Sequence, residues 1–512
     1  MSVLTRRIVA AGQGRLAVVL VTYVAVLLVL RLTLFPGGSD DDAEILYYTQ
    51  SWALAYKIGQ PPLYAWLILA AEAVLGPVMG AVVGVKLALL TVFYACIYLA
   101  ARRLFADNLF SALAPLALVV CFFIGWDTVI NYSHTVLLLA AMAAALWLLL
   151  RLEKQAGWRD YLWLALAIAA GLLAKYNFIL FLVPMLIAAC RHSGLRPRVL
   201  NWRFVAALFL AFVLAALPLA DFLTDAGAVA HAAGAGRLFP VVDDRLAAAV
   251  RGLGQFGLAT LGLVSPFLPL AVLMFPRAVM PLPTPSARLV NAGKFLETYL
   301  AALLVVVIAV ILVSGAADVR NNWLVVWFPL PLYLLLRIKV FTDAAGPSMG
   351  RRLHWFVAGL LVIAVAVPIG LAGRGILAPQ SCRKCNFFIP YGDLARSIAA
   401  AGFTAGTIVA QDRPNQLAGN LRRYFPKARV VSTRWRDYVP PLNPASRGKC
   451  LLIWPGGTSE GAAVRMLGET LRGGIPVPKK AVLRRVTLPL PRNAKHHMTW
   501  SYTVLEGEGG CR

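Results

Sequence analysis

The residues in this sequence that are best suited to acid–base chemistry lie in one polar segment near the N-terminus. The segment reads FPGGSDDDAEILYYTQ and carries Asp40, Asp41 and Asp42 in succession, with Glu44 one helical turn beyond the first of them. A carboxylate held beside a hydroxyl group can accept its proton while the oxygen attacks another molecule. The same letters also fit a helix N-cap in which Asp41 and Glu44 imitate a capping box. Both interpretations are open at this point, and both place the start of a helix at the aspartates.

Cationic and aromatic residues interrupt apolar stretches at three other places. They are Lys175 with Tyr176 in GLLAKYNF, Arg320 in ADVRNNWL and His134 in NYSHTVLLL. A lysine or arginine at a membrane surface can bind a lipid-linked phosphate. Each residue also has a structural explanation: a lysine can extend to the interface, an arginine beside a tryptophan can anchor a helix, and a histidine can pack between helices.

A carboxylate and two cations are the groups that transfer of a sugar from a phosphate carrier requires. The carboxylate activates the acceptor hydroxyl, and positive charge stabilises the departing phosphate. The combination therefore indicates glycosyl transfer, provided that the elements of the chain bring these residues to one side of the molecule.

The composition of the chain shows what kind of elements must position these residues. Of the 512 residues 60% are apolar, and the mean hydropathy is +0.73. An ordinary soluble domain needs no such excess, so most of the chain must lie in lipid. Apolar runs of about 20 residues, long enough to cross the hydrocarbon layer as helices, recur from Leu16 to Ala372. No signal-peptide cleavage site follows the first run, which is therefore expected to remain as an anchor.

Eleven membrane crossings are predicted from these runs. They cover residues 16–35, 81–101, 109–126, 133–150, 160–174, 177–190, 204–223, 254–275, 297–314, 322–336 and 355–372. Residues 61–76, PPLYAWLILAAEAVLG, could be a further span or a helix that lies in the interface. An interfacial helix leaves the basic loops together on the cytoplasmic side, as the positive-inside rule requires. We therefore expect this segment to be interfacial.

The predicted threading places the candidate residues on one face of the membrane. The non-cytoplasmic segments are residues 36–60, residues 126–132, the turn at Lys175, residues 224–253 and the chain after residue 372. The short loops on the opposite side carry most of the arginines and lysines between the spans. We therefore expect a multi-span protein of the bacterial inner membrane, with the aspartates, Lys175 and Arg320 facing the periplasm.

Residues 374–512 form a second predicted domain, which follows the membrane domain of residues 1–373. The segment carries 22 Lys and Arg against 7 Asp and Glu. No nucleic-acid-binding motif accompanies these charges, so membrane lipid or another anionic phosphate compound is the expected partner, and nucleic acid is not. From residue 391, strand-like runs such as TIVAQ and ARVVS alternate with short helical segments. This alternation indicates a small periplasmic α/β domain with a parallel sheet.

Most of the cysteines lie in this second domain. Four of the seven, Cys382, Cys385, Cys450 and Cys511, follow the last predicted span. The oxidising periplasm favours one or two disulfides among them, and the sequence leaves the pairing open. Cys382 and Cys385 could instead contribute to a zinc site or a redox pair, but no second CxxC motif follows. A structural disulfide is therefore the favoured interpretation.

Three sequence blocks, taken in order, resemble one known family. An acidic pair in the first outer loop, QPPLYAWL from residue 60 and the GLLAKYNF turn are similar to the bacterial branch of glycosyltransferase family 39. Its relatives include protein O-mannosyltransferases and the lipid A aminoarabinose transferase. The resemblance covers residues 15–340, and NQLAGNLRRYFPKARV is similar to the soluble tail of the same branch. It implies an all-α polytopic membrane bundle of the GT-C type, a polyprenyl-phosphate sugar donor and inversion at the anomeric carbon.

The resemblance also implies roles for particular residues. The acidic pair of the family matches Asp41 and Asp42, which implies that Asp41 is the general base and Asp42 its helper, while Asp40 leaves the register open by one residue. Lys175 matches a lysine that contacts the donor phosphate, and Arg320 lies near a second phosphate contact. We further predict that these residues of the first loop and of the two later turns line the substrate cavity: Glu44, Tyr56, Gln60, Pro61, Tyr64, His134 and Tyr176.

The sequence therefore predicts a membrane glycosyltransferase that moves a sugar from polyprenyl phosphate to an envelope acceptor. The acceptor is either a glycolipid, such as lipid A or the lipopolysaccharide core, or a protein. A lipid or sugar transporter is the alternative, but it would need internal repeats and polar groups near the middle of the membrane. No metal-ligand set with a recognisable spacing is present, although the carboxylates could bind a divalent ion.

Overall fold

A computed structural model describes most of the chain. The described residues are 13–56, 60–224, 244–279, 287–316, 321–381, 386–412, 416–435, 438–442, 448–471 and 482–512. Within these ranges the chain is mainly helical as far as Ser381, and the strands begin at Gly406. This order confirms the predicted class, an all-α membrane bundle followed by a small α/β domain.

The helices of the apolar part follow one another in close succession. Helices α1 to α8 cover Gln13–Leu34, Asp40–Tyr48, Leu63–Leu75, Met79–Phe105, Asn108–Val120, Thr128–Ile130, His134–Arg151 and Trp158–Ala174. Helices α9 to α16 cover Ile179–Arg191, Arg196–Val199, Trp202–Leu223, Arg245–Val264, Phe267–Met274, Ala287–Ser314, Pro329–Ala345 and Gly350–Ser381. Short 3-10 or π turns lie at Phe123–Asp127, Tyr176–Phe178, Pro276–Val279, Asn321–Trp327 and Gly346–Met349.

Among the described residues, eight helices are long and apolar enough to cross a membrane, or nine if the bent pair of α5 and Phe123–Ile130 is one span. The sequence predicted eleven crossings, and the difference arises where apolar runs are short or divided. Helix α8 has 17 residues and α9 has 13. Helices of these lengths rise only about 20 to 25 Å, less than the hydrocarbon thickness.

The predicted outer loop at residues 224–253 is partly helical. Helix α12 begins at Arg245, because the Asp244 carboxylate accepts a hydrogen bond from the backbone N–H of Ala247 as an N-cap. It ends at Val264, ahead of Pro266, which lacks a backbone donor. The span predicted at 254–275 is therefore wrong at both ends: the helix starts earlier, and α13 is a separate element.

The proline-led segment after the first loop is a short helix. Helix α3 follows Pro61 and Pro62 directly and has 13 residues, a rise of about 20 Å. It ends before Gly76, which takes a left-handed φ of 75° and donates its N–H to the carbonyl oxygen of Glu72. A helix of this length is too short to cross the hydrocarbon layer, in agreement with the charge distribution of the loops.

The chain divides into two compact units that are discontinuous in sequence. The first combines Met1–Val26, Gly59–Leu63 and Lys86–Ile369. The second combines Leu27–Ile58, Tyr64–Val85 and Gly370–Arg512. The acidic first loop and helix α3 thus belong largely to the unit that contains the soluble C-terminal segment.

The C-terminal segment contains a mixed sheet of five strands. Strands β1 to β5 cover Gly406–Ala410, Arg429–Ser432, Lys449–Pro455, Arg484–Leu490 and Asn493–Leu505, and helices α17 to α19 cover Tyr391–Ala400, Leu417–Arg422 and Glu460–Thr470. In the order β2-β1-β3-β5-β4, β1 is parallel to both of its neighbours, whereas β5 is antiparallel to β3 and β4. The prediction of a parallel sheet is right for β1 to β3, and it missed the hairpin of β4 and β5.

A disulfide joins β3 to the C-terminus of the chain. Cys450 pairs with Cys511, and both residues belong to an apolar core that also contains Leu452, Trp454 and Leu467. This is one of the pairings that the sequence left open. The other two cysteines of the segment, at positions 382 and 385, lie outside the described residues.

Candidate active site

The acidic segment begins helix α2, and the start of this helix is fixed by its own side chains. Ser39 is the N-cap: its hydroxyl accepts a hydrogen bond from the backbone N–H of Asp42 at 3.2 Å, and the Asp42 carboxylate accepts one from the N–H of Ser39 at 3.3 Å. This is a capping box. The capping pair is therefore Ser39 and Asp42, rather than Asp41 and Glu44 as the sequence suggested.

Asp42 is buried against an arginine of the preceding helix. Arg31 Nη2 lies 2.9 Å from Asp42 Oδ2, and neither side chain is exposed. The guanidinium also donates to the carbonyl oxygens of Phe35 at 3.1 Å and Gly37 at 3.2 Å, and it lies 5.0 Å from the centre of the Phe387 ring. These contacts pair two buried charges and hold the chain between α1 and α2. Asp42 thus orients α2, and its role as helper of the base stays a prediction.

The exposure of the three aspartates decreases along the first turn of α2. The Asp40 side chain is 57% exposed, Asp41 is half-buried, and Asp42 is inaccessible. Successive residues of a helix point about 100° apart, and the accessible carboxylates of this turn are those of Asp40 and Asp41. Whether Asp40 or Asp41 is the general base therefore stays open at this point, as it was from the sequence.

Two residues of the soluble segment lie beside Asp40. Gln416 Nε2 donates a hydrogen bond to Asp40 Oδ1, and Arg434 Nη1 lies 3.7 Å from the same oxygen. Gln416 is buried, and the Arg434 guanidinium lies over the ring of Trp435, 5.0 Å from its centre. Sequence reasoning missed both residues, because Gln416 follows Asp40 by 376 positions and no local pattern connects them.

Glu44 lies one turn after Asp40, in surroundings that favour its neutral form. Burial and the neighbouring carboxylates of Asp41 and Asp40 raise the pKa of Glu44 to about 8, against the opposing effect of Arg434. Glu44 is therefore mostly protonated at pH 7. Its proton reduces the negative charge around the acidic turn and makes it a hydrogen-bond donor.

Two predicted cavity tyrosines of the same unit are buried by packing. Tyr64, at the start of α3, is fully buried within electrostatic range of the two aspartates that follow Asp40. The ring of Tyr56 packs against Tyr48 and Tyr438, with ring centres 5.9 and 5.4 Å away. These contacts support the shape of the first loop, and a role for either tyrosine in lining a cavity stays a prediction.

In the other compact unit, Lys175 lies at the end of α8. Its Nζ donates to Thr135 Oγ1 at 3.1 Å, and the residue is buried. His134, the first residue of α7, lies within electrostatic range of Lys175 and is linked to the backbone of Ala174 by a hydrogen bond. Tyr176 follows in a 3-10 turn and is half-buried. The structure thus brings together three of the predicted residues where α7 and α8 meet.

The remaining predicted residues are less informative. Pro61 is buried, and Gln60 is half-buried with its Oε1 lacking a hydrogen-bond partner among the described residues. Arg320 lies outside the described residues. In the part of the chain that the structure describes, no group of three or more His, Cys, Asp or Glu side chains is arranged to hold a metal ion.

Arg31 is the missed residue that the sequence signalled most clearly. It interrupts the apolar part of α1 in LLVLRLTL. A charged residue within a span usually has a partner and a function. Its partner Asp42 follows only 11 positions later, so the pair could have been proposed from the sequence.

Known proteins provide independent comparisons. Residues 59–220 match the family described as dolichyl-phosphate-mannose-protein mannosyltransferase. The chain is 30% identical to the lipopolysaccharide core galacturonosyltransferase RgtA of Rhizobium johnstonii, over 95% of both chains. It is 29% identical to the lipopolysaccharide core galacturonosyltransferase RgtB of the same organism, over 82% of this chain and 83% of RgtB.

The fold also matches that of a solved structure. The crystal structure of ArnT from Cupriavidus metallidurans bound to undecaprenyl phosphate aligns with a TM-score of 0.58, over 96% of this chain and 98% of ArnT, at 14% sequence identity. The helical bundle, the soluble α/β segment and these matches define a membrane glycosyltransferase of the GT-C type. The chain belongs to the same family as RgtA and RgtB. The resemblance to the aminoarabinose-transferase-like branch of family 39 is thereby confirmed.

Proposed function

We propose that this protein transfers a sugar from a polyprenyl-phosphate carrier to a glycolipid of the bacterial envelope, on the periplasmic side of the inner membrane. RgtA and RgtB are named as lipopolysaccharide core galacturonosyltransferases, which supports lipopolysaccharide core as the acceptor and galacturonic acid as the first sugar to test. The ArnT structure contains undecaprenyl phosphate, which supports a carrier of this class.

The observation that carries the proposal is the graded exposure of the acidic turn. Asp42 is inaccessible and paired with Arg31. Asp40 is largely exposed, and its carboxylate is already engaged by a hydrogen bond from Gln416 and by Arg434 at 3.7 Å. Asp41 is half-buried between them, so its side chain is partly shielded and partly accessible. We therefore assign Asp41 as the general base.

In the proposed reaction, Asp41 accepts the proton of an acceptor hydroxyl while that oxygen forms a bond to the anomeric carbon of the sugar. The bond between this carbon and the phosphate oxygen breaks, and polyprenyl phosphate leaves with the electron pair. Attack from the side opposite the phosphate inverts the anomeric carbon. Lys175 is proposed to hold the donor phosphate and to stabilise its developing charge, with Arg320 as a second contact.

Transfer assays on the full chain in lipid vesicles test this function. Radiolabelled polyprenyl-phosphate galacturonic acid serves as donor and lipopolysaccharide core as acceptor. Asp41→Asn keeps the shape of the side chain but removes the base, so the transfer rate should fall by a factor of about 10² to 10⁴. A wild-type rate in this variant would contradict the assignment. Wild-type protein that transfers none of a panel of polyprenyl-phosphate sugars would contradict the function itself.

Asp42→Asn is the matched comparison, because it makes the same change at the next residue. It removes one partner of the buried pair with Arg31, which should reduce stability by about 3 to 5 kcal/mol. We expect a lower melting temperature and less folded protein for Asp42→Asn, and a melting temperature close to that of wild type for Asp41→Asn. Thermal unfolding and size-exclusion chromatography in detergent measure both quantities.

A further inference from the structure

A short helix of the soluble segment contacts the acidic helix along its length. Helix α18 has the sequence LAGNLR and lies within NQLAGNLRRYF, a motif to which the proposed chemistry assigns no role. Helices α18 and α2 belong to the same compact unit. Residues of α18, or residues adjacent to it, contact the start, the middle and the end of α2.

In the middle of α2 the two helix backbones touch. A Cβ atom built at Gly419 would lie 1.8 Å from the carbonyl oxygen of Ala43 and 2.6 Å from the carbonyl carbon. Non-bonded carbon atoms normally approach to about 3.5 to 4.0 Å. Because both contacted atoms belong to the backbone, they cannot rotate aside as a side chain would. Glycine is therefore required at position 419 for the helices to lie this close together.

At the start of α2, hydrogen bonds connect Asn420 to the acidic turn. Asn420 Oδ1 accepts a hydrogen bond from the backbone N–H of Gly38 at 2.9 Å, and its Nδ2 donates to the carbonyl oxygen of Gln416 at 3.1 Å. The Gln416 side chain in turn donates to Asp40. Asn420 and Gln416 are buried, so these bonds are shielded from competition with water.

At the end of α2, Arg422 binds carbonyl groups that have no hydrogen-bond donor within the helix. Its guanidinium donates to the carbonyl oxygens of Leu46 and Thr49 and to the Thr49 hydroxyl. The same group makes a two-point contact with the carboxylate of Glu72, at 3.2 and 2.8 Å. The side chains of Arg422 and Glu72 are only 9% and 5% exposed. One buried arginine thus joins the end of α2 to α3 and α18.

We propose that α18 is a positioning helix for the acidic turn. Gly419 sets the distance between the helices, and Asn420 and Arg422 hold the two ends of α2. This arrangement keeps Asp41 at the position that proton transfer requires. The inference rests on the proposed function, since it takes Asp41 to be the base. It makes the soluble segment a part of the catalytic unit.

Gly419→Ala tests the inference, because its methyl group must push α2 away from α18. A displacement of about 1 Å at a catalytic group can lower a rate by about 100-fold. We expect kcat to fall by about 100-fold while KM for the polyprenyl-phosphate donor changes by less than about threefold. The matched control is Gly461→Ala, in helix α19 of the same segment, where an added Cβ meets nothing within 4 Å. The control should keep the wild-type kcat.

Arg422→Lys keeps the test decisive if Gly419→Ala does not fold. Lysine retains the positive charge opposite Glu72, but it cannot contact the carboxylate and the carbonyl groups in the same planar arrangement. We expect a lower kcat per folded molecule at an unchanged KM for the donor.

The outcomes separate this inference from the proposed function. If Asp41→Asn is inactive while Gly419→Ala and Arg422→Lys keep the wild-type kcat, the positioning role is wrong and the proposed function stands. If Asp41→Asn is fully active, the base is misassigned and α18 has no catalytic group to position. Activity that falls only in proportion to the unfolded fraction also overturns the positioning role.

Discussion

Asp40, Asp41 and Asp42 are chemically identical, and helix α2 places each in a different environment. Asp42 points inward to Arg31, whereas Asp40 points to Gln416 and to solvent. Adjacent residues in one helical turn face different directions. Consecutive identical residues can therefore have different roles, one in stabilising the fold and another in catalysis. Removal of any one of these carboxylates therefore has its own expected effect.

Glu44 should make the stability of the protein depend on pH. Its pKa is raised to about 8 in the folded state, from an ordinary value of 4.5. Between these two pH values the folded protein binds a proton that the unfolded chain does not, so this residue lowers stability as pH rises. In Glu44→Gln, which resembles the protonated form, the melting temperature should fall less steeply from pH 5 to pH 8 than in wild type.

Glu506→Gln provides the comparison for this experiment, because it removes one exposed carboxylate from the soluble segment. Melting temperatures of wild type and both variants are measured in the same detergent at each pH. Parallel curves for wild type and Glu44→Gln would show that the Glu44 carboxyl group titrates as it does in the unfolded chain.

At the scale of elements, α2 depends on its neighbours. It has nine residues, and an isolated helix of this length is only marginally stable in water. At its start, Asp42 pairs with Arg31 of α1. At its end, Arg422 of α18 binds the helix and also pairs with Glu72 of α3. The position of the acidic turn is therefore a property of the packed elements rather than of the helix alone.

The disulfide is expected to stabilise the soluble segment. It closes a long loop, since Cys450 and Cys511 are 61 residues apart, and loss of a native disulfide typically reduces stability by about 2 to 5 kcal/mol. Replacing both cysteines by alanine should lower the melting temperature and increase cleavage of residues 386–512 by added protease.

Cys190→Ala serves as the control for that experiment, because Cys190 is free and exposed. It should leave both the melting temperature and the protease pattern unchanged. Equal protease resistance of wild type and the double variant would show that the disulfide contributes little to the stability of the segment.

At the scale of the whole molecule, each of the two compact units is built from segments that are separate in the sequence. The unit of the soluble sheet takes Leu27–Ile58 and Tyr64–Val85 from the N-terminal part. Contacts such as that between Gly38 and Asn420 join residues 382 positions apart. The acidic turn is therefore complete only when both ends of the chain have folded together.

The proposed periplasmic orientation predicts which positions an impermeant thiol reagent can reach. Trp52 is exposed in the first loop, and Ser193 is exposed in the turn after α9, which the proposed orientation assigns to the cytoplasm because of its basic residues. In a background without Cys190, Cys382 and Cys385, Trp52→Cys should be labelled on intact spheroplasts. Ser193→Cys should be labelled only after permeabilisation.

The two positions act as controls for each other, because both should react once the membrane is opened. Labelling of Ser193→Cys on intact spheroplasts, with Trp52→Cys protected, would reverse the proposed orientation. That result would also move the acidic turn to the cytoplasm and contradict a periplasmic acceptor.

Several parts of the fold could be predicted because they depend on near neighbours in sequence. Apolar runs indicated the spans, and the short run after Pro61 indicated a short helix, which the structure shows as α3; its interfacial position stays a prediction. The sequence predicted eleven crossings, whereas eight or nine helices of the described residues are long and apolar enough to cross. The difference arises at runs such as α8 and α9, because hydropathy alone does not show where a helix ends. The hairpin of β4 and β5 was missed, since its strands carry exposed basic residues rather than an apolar run.

By itself, the sequence determined that this is a multi-span membrane protein, which family it resembles and that a helix begins at the acidic segment. These features can be read from hydropathy, charge and motif order over short stretches of chain. Only the tertiary structure decided that Gln416 contacts Asp40, that Cys450 pairs with Cys511 and that α18 lies on α2. These depend on distances of a few ångströms between residues that are mostly far apart in sequence. No local pattern encodes such distances, because they result from the packing of the whole unit.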